Sequence, residues 1–257
     1  MRMMKRLLSL FFLVLLILPP GVSAQDQMYQ KLKQANELYS AGDYPGALRE
    51  YFSIEENGFH SGELYYNIGN TYYKLQVLGE ALLYYERALK FLAMDDDLLT
   101  NIQLANLSIV DKITPIPELF YQKYWISLKY SFSLSSWRFL GFLFYLGLGI
   151  WTSLRILIKI RFLRNIFKPV LFILLLGTFL SFWIMISIQE NWNSHNTGIV
   201  MAEEVQVRAS PAEDGTGLFA LHEGTKVWIK RQSGEWVEIR IADGKTGWLS
   251  EKSMKII

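Results

Sequence analysis

The chain has 257 residues, enough for one to three small domains, and carries a net charge of +2. It contains no cysteine, which excludes disulfides, thiol catalysis, cysteine metal sites and a lipid-modified cysteine anchor; the three histidines, His60, His195 and His222, show no paired spacing of the kind a zinc site needs. The basic excess falls in the leader and one loop rather than on a folded face, which argues against a nucleic-acid partner.

Residues 1–24 read as an export leader. Arg2, Lys5 and Arg6 form a basic start, and 7–18 is an apolar run interrupted only by Ser9. Pro19, Pro20 and Gly21 then break the helix ahead of Val22-Ser23-Ala24. These are the parts of a signal peptide. An uncleaved anchor helix is the other reading, and the apolar run is short for one. In either case the next segment is expected outside the cytoplasm.

Residues 25–114 are expected to form an all-α module. Two 34-residue units, 28–61 and 62–95, align without a gap. Tyr65, Ile68, Gly69, Tyr72, Ala81, Tyr85 and Ala88 mark the second unit, and Ala35, Leu38, Ala47 and Tyr51 the corresponding places of the first. Small residues at 35/69 and 47/81 let two antiparallel helices approach; large ones at 38/72 and 51/85 fill the space beside them. This pattern, with the turn Ala41-Gly42-Asp43-Tyr44, resembles the tetratricopeptide-repeat family. Ile54, Phe59 and Ala93 depart from the family pattern. Asp95, Asp96 and Asp97 suit a helix N-terminus, so 97–112 is read as a closing helix. The resemblance implies a peptide- or protein-binding groove lined by first-helix residues: Tyr29, Leu32, Asn36 and Tyr39, then Glu63, Tyr66, Asn70, Tyr73 and Lys74. Each of these side chains has packing on a neighbouring helix as its other reading.

Pro115 and Pro117 end that module. Residues 115–136 mix Phe120, Tyr121, Tyr124, Trp125, Tyr130 and Phe132 with Lys123 and Lys129, the composition of an amphipathic segment in a lipid interface. A packed extension of the helical module fits nearly as well. Residues 137–158 and 169–188 read as a transmembrane hairpin. The second run is 20 residues without a charge, about what a helix needs to cross roughly 30 Å of hydrocarbon. The connector 159–168, with flanking Arg155, holds five cations and no acid, and such a loop stays on the cytoplasmic side. Gly141, Gly147, Gly149 and Gly177 are candidates for close helix contact.

Over 195–257 the period changes to strand-like alternation, as in Val205-Gln206-Val207-Arg208 and Trp236-Val237-Glu238-Ile239, with turn residues between the runs. Five or so short strands in this span predict a small all-β barrel. The runs 205–211, 221–227, 234–239 and 243–249 resemble the bacterial SH3 (SH3b) family. Gly224, Gly244 and Gly247 are expected at turns with positive φ. The resemblance implies a domain that binds cell-wall peptides or proteins, with Trp236 and Trp248 as aromatic markers. For Trp236, core packing and a surface role are not separable by alternation. His222-Glu223 lies in a family turn motif, so a structural role is expected rather than acid–base chemistry.

The expected fold class is therefore a multidomain membrane protein: an all-α tetratricopeptide-repeat module, a two-helix transmembrane hairpin and a small all-β SH3-like barrel. That order resembles the BatE-like proteins of bacterial aerotolerance operons. The resemblance implies a scaffold in the bacterial inner membrane, with both folded modules extracytoplasmic and integrin-type A-domain membrane proteins as partners. A peptidoglycan-binding or wall-sensing protein is the alternative. No catalytic constellation, metal motif or phosphate loop stands out, so neither an enzyme nor a cofactor is expected.

Overall fold

A computed structural model describes residues 22–117, 119–157, 164–193 and 196–257. Residues 1–21 of the expected leader, Glu118 of the expected linker, Ile158 at the end of the first expected span, connector residues 159–163 and His195 lie outside these described residues. The chain divides into two compact units, 1–60 and 61–257.

In the first unit, α1 (Val22–Ser40) packs on α2 (Tyr44–Glu56). Val22, Ser23 and Ala24, the expected cleavage region, form the first turn of α1. Gly42, at φ +83°, reverses the chain between the two helices. Asp43 then caps α2 by accepting from the Gly46 N–H at 2.9 Å, and Pro45 occupies the first turn, where a missing N–H costs no helical bond. The pair buries Ala35, Ala47, Tyr51 and Ile54.

The second unit opens with another helical pair, α3 (Gly62–Lys74) and α4 (Leu78–Leu89). Ser61 caps α3 through the Leu64 N–H at 3.1 Å. The close approach expected at Gly69 is real: a Cβ there would sit 2.5 Å from the Tyr85 ring. α5 (Asp96–Ser108) covers this pair, capped by Asp95 at 2.9 Å from the Leu98 N–H. It is shorter than the expected 97–112. At Ile109 the backbone turns extended, and Lys112 folds back to donate to the carbonyls of Asn106, Leu107 and Ile109 at 2.6–3.0 Å. Those are the carbonyls a helix end leaves without partners.

Residues 115–136, expected as one linker, contain α6 (Phe120–Tyr130) and the start of α7 (Leu134–Leu157). α8 (Arg164–Asn193) reaches back into the expected connector, so 164–168 is helical. One described helix, Lys168–Glu190, is by itself long and apolar enough to cross a membrane. α6 and the part of α7 from Leu134 to Ser153 pass that test only together, bent by 82°. α7 and α8 run antiparallel: Gly141 meets Ser181, Phe144 meets Gly177 and Gly147 meets Leu174, whereas Gly149 faces open space. A Cβ on Gly177 would stand 2.6 Å from the Phe144 ring. Gly177→Ala is therefore expected to lower the stability of the helix pair by about 1–3 kcal/mol. Thermal unfolding in detergent, with Gly149→Ala as the unaffected control, reads it.

The C-terminal strands are β1 (Thr197–Val200), β2 (Glu204–Arg208), β3 (Gly217–His222), β4 (Lys226–Ser233), β5 (Trp236–Arg240), β6 (Thr246–Ser250) and β7 (Met254–Ile256). They form one antiparallel sheet in the order β3-β2-β6-β5-β4-β1-β7. Alternation puts Val207, Val227, Val237, Ile239 and Leu249 on the inner face, where they pack with Val200, Leu221, Ile241 and Met254. Gly224 and Gly244 do sit at turns, with φ of +89° and +92°. Gly247 does not. It lies inside β6, where a Cβ would come within 2.5 Å of Val207, so space and not φ excludes a side chain there.

Candidate functional site

On α1, Tyr29 is exposed, while Leu32, Asn36 and Tyr39 are half-buried. Tyr51 donates its hydroxyl to Asn36 Oδ1 at 2.7 Å, and Tyr39 sets its ring edge against Tyr44. On α3, Tyr66, Asn70 and Tyr73 are half-buried, and Glu63 and Lys74 exposed. Here Tyr85 donates to Asn70 Oδ1 at 2.8 Å. The same Asn–Tyr bond thus recurs at an identical separation of 15 residues in both helical pairs. Asn101 of α5 adds a second donor to Asn70 Oδ1 and another to the Tyr66 hydroxyl, each at 2.9 Å. The acceptor oxygen of Asn70 is therefore engaged within the unit. Tyr73, half-buried, and Lys74, exposed, lie outside this network, as does exposed Glu63.

The outer face of the sheet has a different character. Trp236 and Trp248 alternate with inward-facing Val237, Ile239 and Leu249, so both point outward from adjacent strands. Arg208, paired with Trp248 across β2 and β6, places its guanidinium 6.0 Å from the Trp236 ring centroid. Arg231 lies 5.1 Å over the Trp248 ring and pairs with Glu238. This lid leaves Trp248 only 8% exposed, although it faces away from the core. A bulge between Ile229 and Arg231 swings the arginine onto that face. The face therefore presents the half-buried Trp236 indole beside the Arg208 guanidinium, with Trp248 covered by the Arg231–Glu238 pair, an aromatic and charged surface suited to flat polar groups.

Residues 203–255 match the bacterial SH3 domain family. The chain thus carries an SH3 domain behind a helical region of eight helices among the described residues. A search of curated proteins returns no significant match to the chain.

The SH3 domain is clamped onto the helices by charge. Asp111, in the extended stretch after α5, accepts from the His222 N–H at 2.8 Å, from Thr225 Oγ1 at 2.5 Å, and bonds His222 Nδ1 at 2.8 Å. Glu86 of α4 accepts from Lys226 at 2.6 Å, and Glu80 pairs with Lys255. In the reverse sense, Glu223 Oε1 accepts from the Gly79 N–H at 2.8 Å, at the start of α4, where backbone donors lack helical partners. Lys90 and Arg87 donate to the carbonyls of Ile257 and Ile256. Burial, with Arg87 nearby, pushes the Lys90 ammonium below the usual lysine range. Between charges, Gly224 sits against Ile109 and Leu82. A cleft of about 500 Å³ opens beside this clamp, lined by Ile109, Ile113, Pro115, Thr225 and Trp228 among others.

Sequence reasoning placed His222 and Glu223 in a structural turn and missed their partners. Asp111 and Trp228 were not singled out. No local signal joined the two sides: His222-Glu223 lies in an SH3 turn, and Asp111 fell within the expected closing helix 97–112. Among the described residues, no group of three His, Asp or Glu side chains could hold a metal.

Proposed function

We propose that this chain is a membrane-held extracytoplasmic scaffold. Its helical pairs act as tetratricopeptide-like protein-binding units, and its SH3 domain is the second contact point. The observation that carries the reading is the clamp. Asp111, Glu86 and Glu80 hold the SH3 domain in a fixed relation to α3–α5, so the two modules present their surfaces together. Support for the tetratricopeptide part is the recurring Asn36–Tyr51 and Asn70–Tyr85 bond. Support for membrane attachment is Lys168–Glu190 and its antiparallel partner α7. On this reading α7 and α8 form the two-span hairpin of a bacterial inner-membrane protein. An N-terminal signal peptide exports the helical module, and both modules face away from the cytoplasm. The whole resembles a BatE-like member of an aerotolerance complex, with integrin-type A-domain membrane proteins as partners. Tyr29, Leu32, Asn36 and Tyr39 of the first helical pair, and Tyr66, Asn70, Tyr73 and Lys74 of the second, are the candidate partner-binding residues.

The test is co-purification of such membrane partners with the full chain. Tyr73→Ala with Lys74→Glu is expected to reduce recovery at least tenfold, as for a loss of about 1.4 kcal/mol or more, without changing folding or membrane fractionation. Unchanged recovery refutes the groove.

A second reading, peptidoglycan binding or wall sensing, is favoured by the Trp236–Arg208 and Trp248–Arg231 face. The full chain in detergent would then sediment with purified sacculi, and Trp236→Ala would abolish that. No sedimentation above a control lacking sacculi removes this reading.

A further inference from the structure

We infer that α6 lies flat in the outer lipid interface, its aromatic face in contact with the bilayer, at right angles to the spans it precedes. The inference rests on the membrane reading above and deepens it. At about 100° per residue, Phe120, Tyr124, Leu128, Tyr121 and Trp125 fall within one arc of roughly 140°. Lys129, Gln122, Ile126, Tyr130, Lys123 and Ser127 occupy the remainder, with Ile126 and Tyr130 its two apolar members. Phe120 is 76% exposed and Tyr124 74%, and no residue of α6 is fully buried. A helix with this face open needs an occupant, and the geometry selects lipid.

Three observations make the choice. First, α6 meets α7 at 82°, so if α7 runs across the membrane, α6 runs along its surface. Second, Trp125, at one edge of the aromatic arc, and Tyr130, in the last turn of α6, pack on the Trp137–Ile184–Ile188 cluster at the end of the hairpin. Trp137 Nε1 also donates to the Lys129 carbonyl at 3.1 Å, which fixes the bend. Trp125 and Tyr130 thus fasten α6 to the hairpin from its flanks and leave the centre of the arc, Tyr124 above all, open. Third, residues 119–157 contain no acidic side chain, while Lys123 and Lys129 supply the charge that phosphate headgroups attract. The α4–α5 turn comes to the same level: exposed Met94 borders a cavity of about 290 Å³ with Tyr130, Phe132, Leu134 and Ile188.

The absence of cysteine makes the test clean, because each variant carries a single thiol. Tyr124→Cys, Gln122→Cys and Phe172→Cys are made in the full chain and labelled with an environment-sensitive fluorophore. Each is reconstituted in vesicles of phosphatidylethanolamine and phosphatidylglycerol. Quenching by aqueous iodide is compared with quenching by nitroxide-bearing lipids, the nitroxide placed either near the headgroup or deep in the acyl chain. The expected result is several-fold stronger headgroup-nitroxide quenching at 124 than at 122, with the iodide order reversed, and deep quenching at 172. If 124 is open to iodide while 172 is quenched from within the bilayer, the span stands and the in-plane helix is wrong. If 124 is shielded from iodide and from both lipids, a protein surface covers it and the lipid assignment fails. If 172 is itself open to iodide, the membrane reading fails, and the in-plane helix with it.

Discussion

Asp111→Ala should release the SH3 domain from the helices and cost about 2–4 kcal/mol, the largest loss expected of any single charged residue in this chain. One carboxylate accepts from the His222 backbone, the His222 ring and Thr225. Its removal leaves a buried hydroxyl and a backbone donor without their acceptor. Asp111→Asn retains one acceptor oxygen and should recover part of the loss. Limited proteolysis reads the release directly, because the extended stretch around 109–117 becomes cleavable when the clamp opens. The effect also has a pH signature. Burial works against ionisation of Asp111, but the bonds from Thr225 and His222 outweigh it, and the carboxyl is held below its ordinary range. A depressed folded-state value means the contribution is fully present above the unfolded value of about 3.9. It is lost as pH falls through the lowered one. Wild-type stability should therefore decline more steeply than that of Asp111→Ala in this acid window, and the gap between them should be constant from mildly acidic to neutral pH. A gap that narrows already near pH 6 would show that some other group governs the clamp.

Gly224→Ala is expected to cost about 2–4 kcal/mol by two separate routes. The residue holds φ at +89°, which an L side chain adopts only under strain. Its new Cβ would also stand 2.5 Å from Ile109 and 3.1 Å from Leu82, so it would wedge the SH3 domain off the helices. Gly234→Ala separates the routes. That glycine has φ +59° and open space around it, so only the backbone cost, about 1 kcal/mol, should appear. Equal losses in the two variants would mean that the contact with Ile109 and Leu82 contributes nothing.

The division between what the amino acids disclose and what they conceal follows sequence distance. Helical pairing was legible because small residues at 35, 47, 69 and 81 recur at a period set within each pair, and Gly69 indeed lies against Tyr85. The strands were legible because alternation over a few residues is a local signal, and 203–255 matches the SH3 model. The inner or outer placement of Trp236 was not, since alternation alone does not say which phase faces the core; inward Val237 and Ile239 settle it. Asn36 and Asn70 both fell among the expected groove residues, but the tyrosine hydroxyls that reach their oxygens come from the next helix, which periodicity along one helix does not reveal. The clamp was least legible of all. Asp111 and His222 are 111 residues apart, and nothing in either local stretch specifies the other. The end of α5 differs for a local reason: Lys112 folds back onto the carbonyls of Asn106, Leu107 and Ile109 and stops the helix earlier than its polar–apolar pattern implies.

The connection between α8 and β1 has a spatial consequence. α8 ends at Asn193 and β1 begins at Thr197, so the leash spans at most roughly 14 Å even when fully drawn out. A domain on a long linker samples depth and can fish for ligands well above its anchor. This one cannot. If Lys168–Glu190 crosses the bilayer as proposed, the SH3 domain is confined to a thin shell next to the lipid, and any partner it binds must come down to it.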